Sequence, residues 1–172
     1  MKNIFRLLTV VSLAGLFCVG CQKDNEENVD ELKAGVNQIY YDGTIYNVIA
    51  ADCRNNGDFY IIHAMLENDS VNLGIDLNAP SIGVKEDVTK MFSNEEAHSL
   101  MFFIGNYQIQ QDRGSGVIWG VIGDEEYNNT SIFSKGTETF NCSNGTYTYV
   151  LDGTLKNGKQ LCINLKGNVL TN

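Results

Sequence analysis

The chain has 172 residues, 12 Lys+Arg against 21 Asp+Glu, and a formal net charge of −9. That balance excludes a phosphate-tracking basic surface, so nucleic acid is not an expected partner. Seventeen glycines, one proline, eight tyrosines and eight phenylalanines point instead to short strands joined by glycine turns.

The first stretch is a leader. Lys2 and Arg6 supply a positive start, Leu7 to Gly20 is apolar apart from Thr9 and Ser12, and small or modest residues precede Cys21. Fourteen residues fall short of the roughly 20 that a spanning helix needs, so residues 1–20 read as a cleaved signal peptide. Removing Lys2 and Arg6 from the twelve leaves ten basic residues against 21 acidic ones, a net charge of −11.

Val19-Gly20-Cys21 resembles the end of a bacterial lipobox, with Cys18 where Leu is usual. The resemblance implies that the Cys21 thiol receives a diacylglycerol and becomes the new N-terminus. Two or more acyl chains are what stable anchoring requires, since each buried methylene contributes about 0.8 kcal/mol. Gln22-Lys23-Asp24-Asn25-Glu26-Glu27 resembles the acidic signal that sends lipoproteins of Bacteroidetes to the outer face of the outer membrane. The expected location is therefore the outer membrane, lipid-anchored and exposed at the cell surface, with the periplasmic face as the alternative. Residues 21–34 read as lipidated N-terminus and flexible tether, because Gln22 to Lys33 has almost no apolar content to bury.

Residues 35–172 have the length and apolar content of one domain. Val36 to Tyr41 and Thr44 to Ala51 flank Asp42-Gly43, a two-residue hairpin signal. Phe59 to Glu67 is apolar on both faces and reads as a central strand. Asn68-Asp69-Ser70 turns the chain into Val71 to Asn78, which alternates with the period of a half-buried strand. Asn78 to Asn94 is irregular, and Lys85 to Phe92 fits a helical turn or a strand equally. Ser99 to Gln110 reads as one long strand, Gly114-Ser115-Gly116 as a turn into Val117 to Ile122, and Asp124 to Thr130 as a polar loop.

Asn144-Gly145 as a two-residue turn sets Cys142 opposite Tyr147 and Phe140 opposite Tyr149. A three-residue loop at Lys156-Asn157-Gly158 then sets Ile163 against Leu151 and Leu165 against Tyr149, keeping apolar with apolar. In that register Cys162 and Cys142 face opposite sides and do not form a disulfide. Cys53 remains as a partner for one of them, and an odd count after lipidation leaves a free thiol; small buried hydrophobes is the favoured reading. The expected fold is all-β: an antiparallel β-sandwich or barrel-like meander of short strands.

The segment Gly145 to Gly167, with Ser134-Lys135-Gly136 and Ile82 to Val88, resembles small all-β lipoproteins of gut Bacteroides, a family without an assigned activity. The resemblance implies a β-sandwich or barrel-like domain and brings no catalytic residues.

Enzymatic signals are weak. His63 and His98 lie on separate elements without a zinc motif. Asp52 to His63 echoes a calcium loop, but Arg54 occupies a ligand position and His63 replaces the closing Glu. Glu95-Glu96 and Asp124-Glu125-Glu126 read as solvated loop carboxylates rather than a glycosidase pair. No nucleophile elbow or phosphate loop is visible. The expectation is no enzyme, no cofactor and no metal.

Two functional readings follow. The first is a non-enzymatic ligand-binding module for a glycan, peptide or small amphiphile, using Trp119, Tyr107 and Tyr127. The alternation of Trp119 with Val117 and Val121 favours core packing for that residue. The alternative is a structural component of an outer-membrane surface assembly with a membrane-protein partner, motivated by the uncharged strand within Gly116 to Gly123. Asp69-Ser70-Val71 also resembles the Bacteroidetes O-glycosylation acceptor, which makes Ser70 a candidate modification site.

Overall fold

The computed structural model describes residues 32–170 apart from 58, 69–70, 79–81, 91–96 and 115. Cys21 and Ser70, and with them the leader, the lipidation and the O-glycosylation expectations, lie outside the described residues. The described chain forms β1 (Gln38–Tyr41), β2 (Thr44–Asn55), β3 (Phe59–Leu66), β4 (Val71–Asn78), β5 (Lys85–Asp87) and β6 (Ala97–Ile104), then β7 (Tyr107–Gly114), β8 (Val117–Ile122), β9 (Glu125–Asn128), β10 (Phe133–Ser143), β11 (Thr146–Leu155) and β12 (Gln160–Leu170). They make one sheet in the order β5-β10-β11-β12-β1-β2-β3-β4-β6-β7-β8-β9, curled into a half-barrel, and every pairing between neighbours in that order is antiparallel.

The hairpins follow from their turn residues. Asp42 and Gly43 both take positive φ, 46° and 90°, as do Asn144 and Gly145 at 52° and 74°, the two-residue geometry that matches strand twist. Cys142 lies opposite Tyr147 and Phe140 opposite Tyr149, while Ile163 meets Leu151 and Leu165 meets Tyr149, the registers that apolar pairing demands. Gly158 takes φ 84° in the three-residue loop. Cys53, Cys142 and Cys162 are all free thiols.

Four elements differ from expectation. Residues 99–110 are not one strand: Gly105 at φ 59° opens a two-residue turn, and Ile104 pairs with Tyr107 across it. Residues 124–130 are not all loop, because β9 pairs with β8 although Glu125, Glu126 and Asn128 are exposed. A short charged strand is what a sheet edge tolerates, and β5, at the other edge, has the same character. Trp119 is not core: on β8 the buried row is Ile118, Gly120 and Ile122, and Trp119 sits half-buried on the outer row with exposed Val117. β3 is central as expected, yet its second face is outer surface, with Phe59 and Met65 exposed.

β2 pairs with β3 along one edge and is long enough to serve both β1 and β12 along the other. A register shift between Val48 and Ala50 lets its first half pair with β1 and brings Cys53 and Arg54 alongside Val169 and Leu170 of β12. The concave side holds the core, with Phe102, Phe133, Phe140, Tyr147 and Tyr149 almost fully buried. Aromatics of this size bury roughly 150–250 Å² each, so five of them dominate the apolar area. Gly120 makes the tight curl at β8 feasible: a Cβ there would lie 2.4 Å from both the Gln110 carbonyl oxygen and Ile132 Cγ2.

Residues 33 and 34, at the end of the stretch read as tether, contact the sheet. Ala34 is buried and its carbonyl accepts from Asn164 Nδ2 at 3.2 Å, while Lys33 lies over the Tyr40 ring at 5.1 Å. This strap also contacts Cys162 from the outer side, where that thiol would otherwise face solvent.

Candidate ligand-binding cleft

In an antiparallel meander alternate turns fall at one end, so the Asp42-Gly43, Gly105-Asn106, Gly123-Asp124 and 156–158 turns gather at one mouth of the half-barrel. The inward rows of β1, β2 and β7 end there in tyrosines. Tyr41, Tyr46 and Tyr107, with Ile104, Asp42 and Lys159, line a cleft of about 220 Å³.

Tyr107 is fixed from several sides. Its ring lies 6.2 Å from that of Tyr41, and it occupies the space beside Gly123, where a Cβ would meet it at 2.7 Å. Asn157 Nδ2 donates weakly to its hydroxyl at 3.4 Å. Tyr46 stacks edge-on against Phe102 at 6.1 Å, which ties the cleft wall to the core. Tyr41 is almost fully buried, and its hydroxyl faces Tyr107 without reaching hydrogen-bond geometry. Burial is the main reason its phenol is pushed well above the usual tyrosine range, with the Tyr107 hydroxyl adding to it.

Over these rings lies one ammonium group. Lys159 Nζ is 5.4 Å from the Tyr41 centroid and 5.9 Å from that of Tyr107, and it pairs with Asp42 Oδ2 at 2.9 Å. The bond to Asp42 raises the Lys159 pKa. Both partners are substantially exposed, so the pair is a mouth feature rather than a buried clamp.

The inward row of β7 connects this mouth to a second polar group deeper in the barrel: Tyr107, Ile109, Gln111 and Arg113 follow one another on one face. Arg113 Nη2 donates to Glu138 Oε1, and Arg113 Nη1 donates to the carbonyls of Asp87 at 3.1 Å and Lys90 at 3.3 Å. Glu138 also accepts from the Tyr149 hydroxyl at 2.7 Å and lies 3.2 Å from His98 Nδ1. Gln111 donates to the Val88 carbonyl, and its own oxygen accepts from Ser131 and from the Ile132 amide. Burial draws the Arg113 guanidinium down to about 10, still far above neutral.

This cluster holds the richest chemistry, yet it is sealed. The space it shares with Ile75, Leu77 and Leu151 amounts to about 10 Å³, room for about one water. It braces the two margins of the curled sheet, since Gln111 and Arg113 come from β7 and their partners from β10, the end of β5 and the segment after it.

No family model matches the chain, and no curated protein or solved structure matches it.

Of the three aromatics singled out from sequence, Tyr107 alone belongs to the cleft. Tyr127 is buried on the inner side of β9, with Lys156 Nζ 5.2 Å over its ring. Trp119 pairs with Asp112 and Asn128 on the outer face, so the three form no common platform. His63 is exposed, 3.9 Å from Asp52, and His98 belongs to the sealed cluster; Glu95-Glu96 falls outside the described residues. Among the described residues no group of three His, Cys, Asp or Glu is placed to hold a metal ion.

Sequence reading missed Tyr41, Tyr46 and Lys159. Their signal was present: Tyr41 and Tyr46 bracket the Asp42-Gly43 turn, and Lys159 closes the loop that reaches the same end. It missed the Arg113–Glu138 pair too, although each alternates with inward apolar residues, Ile109 on one strand and Phe140 on the other.

Proposed function

We propose that this chain is a lipid-anchored bacterial lipoprotein, facing the cell surface or the periplasm, whose β domain is a non-enzymatic module that binds a small ligand at the mouth of the half-barrel. The observation that carries the reading is the cleft itself: three tyrosines supply apolar area with polar handles, and Asp42, paired with Lys159, places a carboxylate at its rim. The sealing of the Arg113–Glu138 cluster supports a structural rather than catalytic role for the residues with the strongest chemistry. The leader and Cys21 support the anchor.

The test is a titration of the purified protein with a panel of glycans, peptides and small amphiphiles. Tyr107→Ala is expected to weaken any binding at least tenfold, and Trp119→Ala to leave it unchanged; a panel without binders, or binding lost with Trp119 and not Tyr107, overturns the reading. Cys21→Ala is expected to move the folded domain from the membrane to the soluble fraction, and a variant that stays membrane-bound sinks the anchor.

A second reading, an interaction component of a surface assembly, draws support from the outer face. Gly74 leaves a groove of about 580 Å³ there, walled by His63, Met65, Met101 and Phe103. β8, whose lack of charge suggested strand pairing, has β7 and β9 on its two sides. Retention of a partner membrane protein by the wild-type chain but not by Met65→Lys would favour this reading over the first.

A further inference from the structure

The chain places a cation of its own where three aromatic side chains and a carboxylate converge. Lys159 Nζ lies within 6 Å of the centroids of Tyr41 and Tyr107 while its charge is met by Asp42 at 2.9 Å, and Tyr46 lines the same cleft. An ammonium group over aromatic faces within about 6 Å, closed on one side by an anion, is the arrangement by which proteins hold alkylammonium ligands. We propose that the cleft takes a ligand carrying an alkylammonium group, whose place Lys159 fills in this structure.

The inference rests on the binding-module reading and names the chemical class of its ligand. Four observations favour a cation over a neutral sugar or an anion. Lys159 demonstrates that the site accommodates a charged nitrogen with an alkyl stem. The Asn157 side chain beside Tyr107 is already engaged, donating to the Tyr107 hydroxyl and accepting from the Lys159 backbone amide at 3.1 Å, so this amide does not serve a sugar hydroxyl. Tyr41 is nearly buried, so its contribution is a π face and not a stacking platform open to a pyranose ring. The protein as a whole carries a net charge of −9, which draws cations toward it and repels anions.

Lys159 then competes with the ligand. It sits at the end of the 156–158 loop, and among the described residues its ammonium is held by Asp42 and the two rings. An exposed ion pair together with cation–π contacts of this kind opposes an entering cation by about a factor of ten.

The test uses the full-length chain in detergent, titrated calorimetrically with choline chloride against a sodium chloride control of equal ionic strength. Two neutral probes run in parallel: 3,3-dimethylbutan-1-ol, the carbon isostere of choline, and methyl β-glucopyranoside. Lys159→Met keeps the backbone bonds from Leu155 to Lys159 and from Lys159 to Asn157, and Asp42→Asn keeps a residue that tolerates the positive φ at that position, so both variants should fold. The expected result is choline binding that strengthens about tenfold in Lys159→Met and disappears in Asp42→Asn, with no binding of the isostere. Choline affinity unchanged by Lys159→Met, or matched by the isostere, overturns the inference. Binding of the glucoside but not of choline overturns it while leaving a binding module standing; a ligand of neither kind, with the wider panel also blank, removes both.

Discussion

Replacing Arg113 by Met tests whether the sealed cluster stabilises the fold as a unit. Arg113 and Glu138 are each about 95% buried, being 4% and 5% exposed, and the guanidinium serves Glu138 and the carbonyls of Asp87 and Lys90. Arg113→Met leaves a buried carboxylate facing His98 and Tyr149 and two carbonyls without their side-chain donor, and breaking a buried pair in this way costs about 3–5 kcal/mol. That is a large part of the roughly 5–15 kcal/mol by which a domain is stable. Arg113→Met with Glu138→Leu replaces both charges by apolar volume, a change that is often neutral or stabilising. Here Tyr149 then loses its acceptor, at about 1–3 kcal/mol, so the double variant should fall within about 3 kcal/mol of wild type and lie above the single one. Urea unfolding with linear extrapolation measures each corner of the cycle, and an unchanged slope shows that the unfolded reference is the same. A loss below about 1 kcal/mol for Arg113→Met, or a double variant no better than the single, would refute the reasoning.

Gly120→Ala should lower the urea midpoint by the equivalent of about 1–3 kcal/mol or more, because its Cβ would meet the Gln110 carbonyl, fixed in the β7–β8 ladder, at 2.4 Å; an unmoved midpoint would show that the curl at β8 yields freely. Burial pushes the Cys53 and Cys162 thiols up to about 12, so at pH 8 the native domain should react with a soluble thiol reagent at half-exposed Cys142 and take up label at the other two only in denaturant. Equal native labelling at all three would contradict the burial of Cys53 in the core on the inner side of β2 and of Cys162 beneath the Lys33 strap.

What could be read from the sequence was local. Asp42-Gly43 and Asn144-Gly145 announce their turns because both central residues must take positive φ, and the Ile163–Leu151 pairing follows because the alternative loop sets an isoleucine against Asp152. Where a turn was weakly marked the reading failed. Gly105-Asn106 sits between apolar runs that continue the same alternation, so two strands looked like one, and β9 is polar enough at Glu125, Glu126 and Asn128 to pass for loop. Both rows of β8 are apolar, so alternation does not tell its faces apart; the register with β7 does, setting Ile118 and Gly120 opposite buried Arg113 and Gln111 and Trp119 opposite Asp112. The cleft depends on which turns share an end and which row faces in, two facts of topology that alternation does not carry. Tyr107 stands out in the sequence as an aromatic with a polar handle; Lys159 closes a loop at the same end, but its approach to a tyrosine 52 positions before it depends on the curl of the sheet.

The bonds that join the margins of this sheet are made by side chains. Between the β5 side and the β7 side no strand pairing appears among the described residues; Gln111, Arg113 and Ser131 reach the carbonyls of residues 87–90 instead. A backbone ladder unzips one residue at a time, whereas four such stitches on one short segment release together once that segment lifts. The half-barrel therefore has a clasp. Its amides, those of Val88 and Lys90, should exchange with solvent in one concerted step at a free energy well below global unfolding, while the β11–β12 ladder keeps its protons.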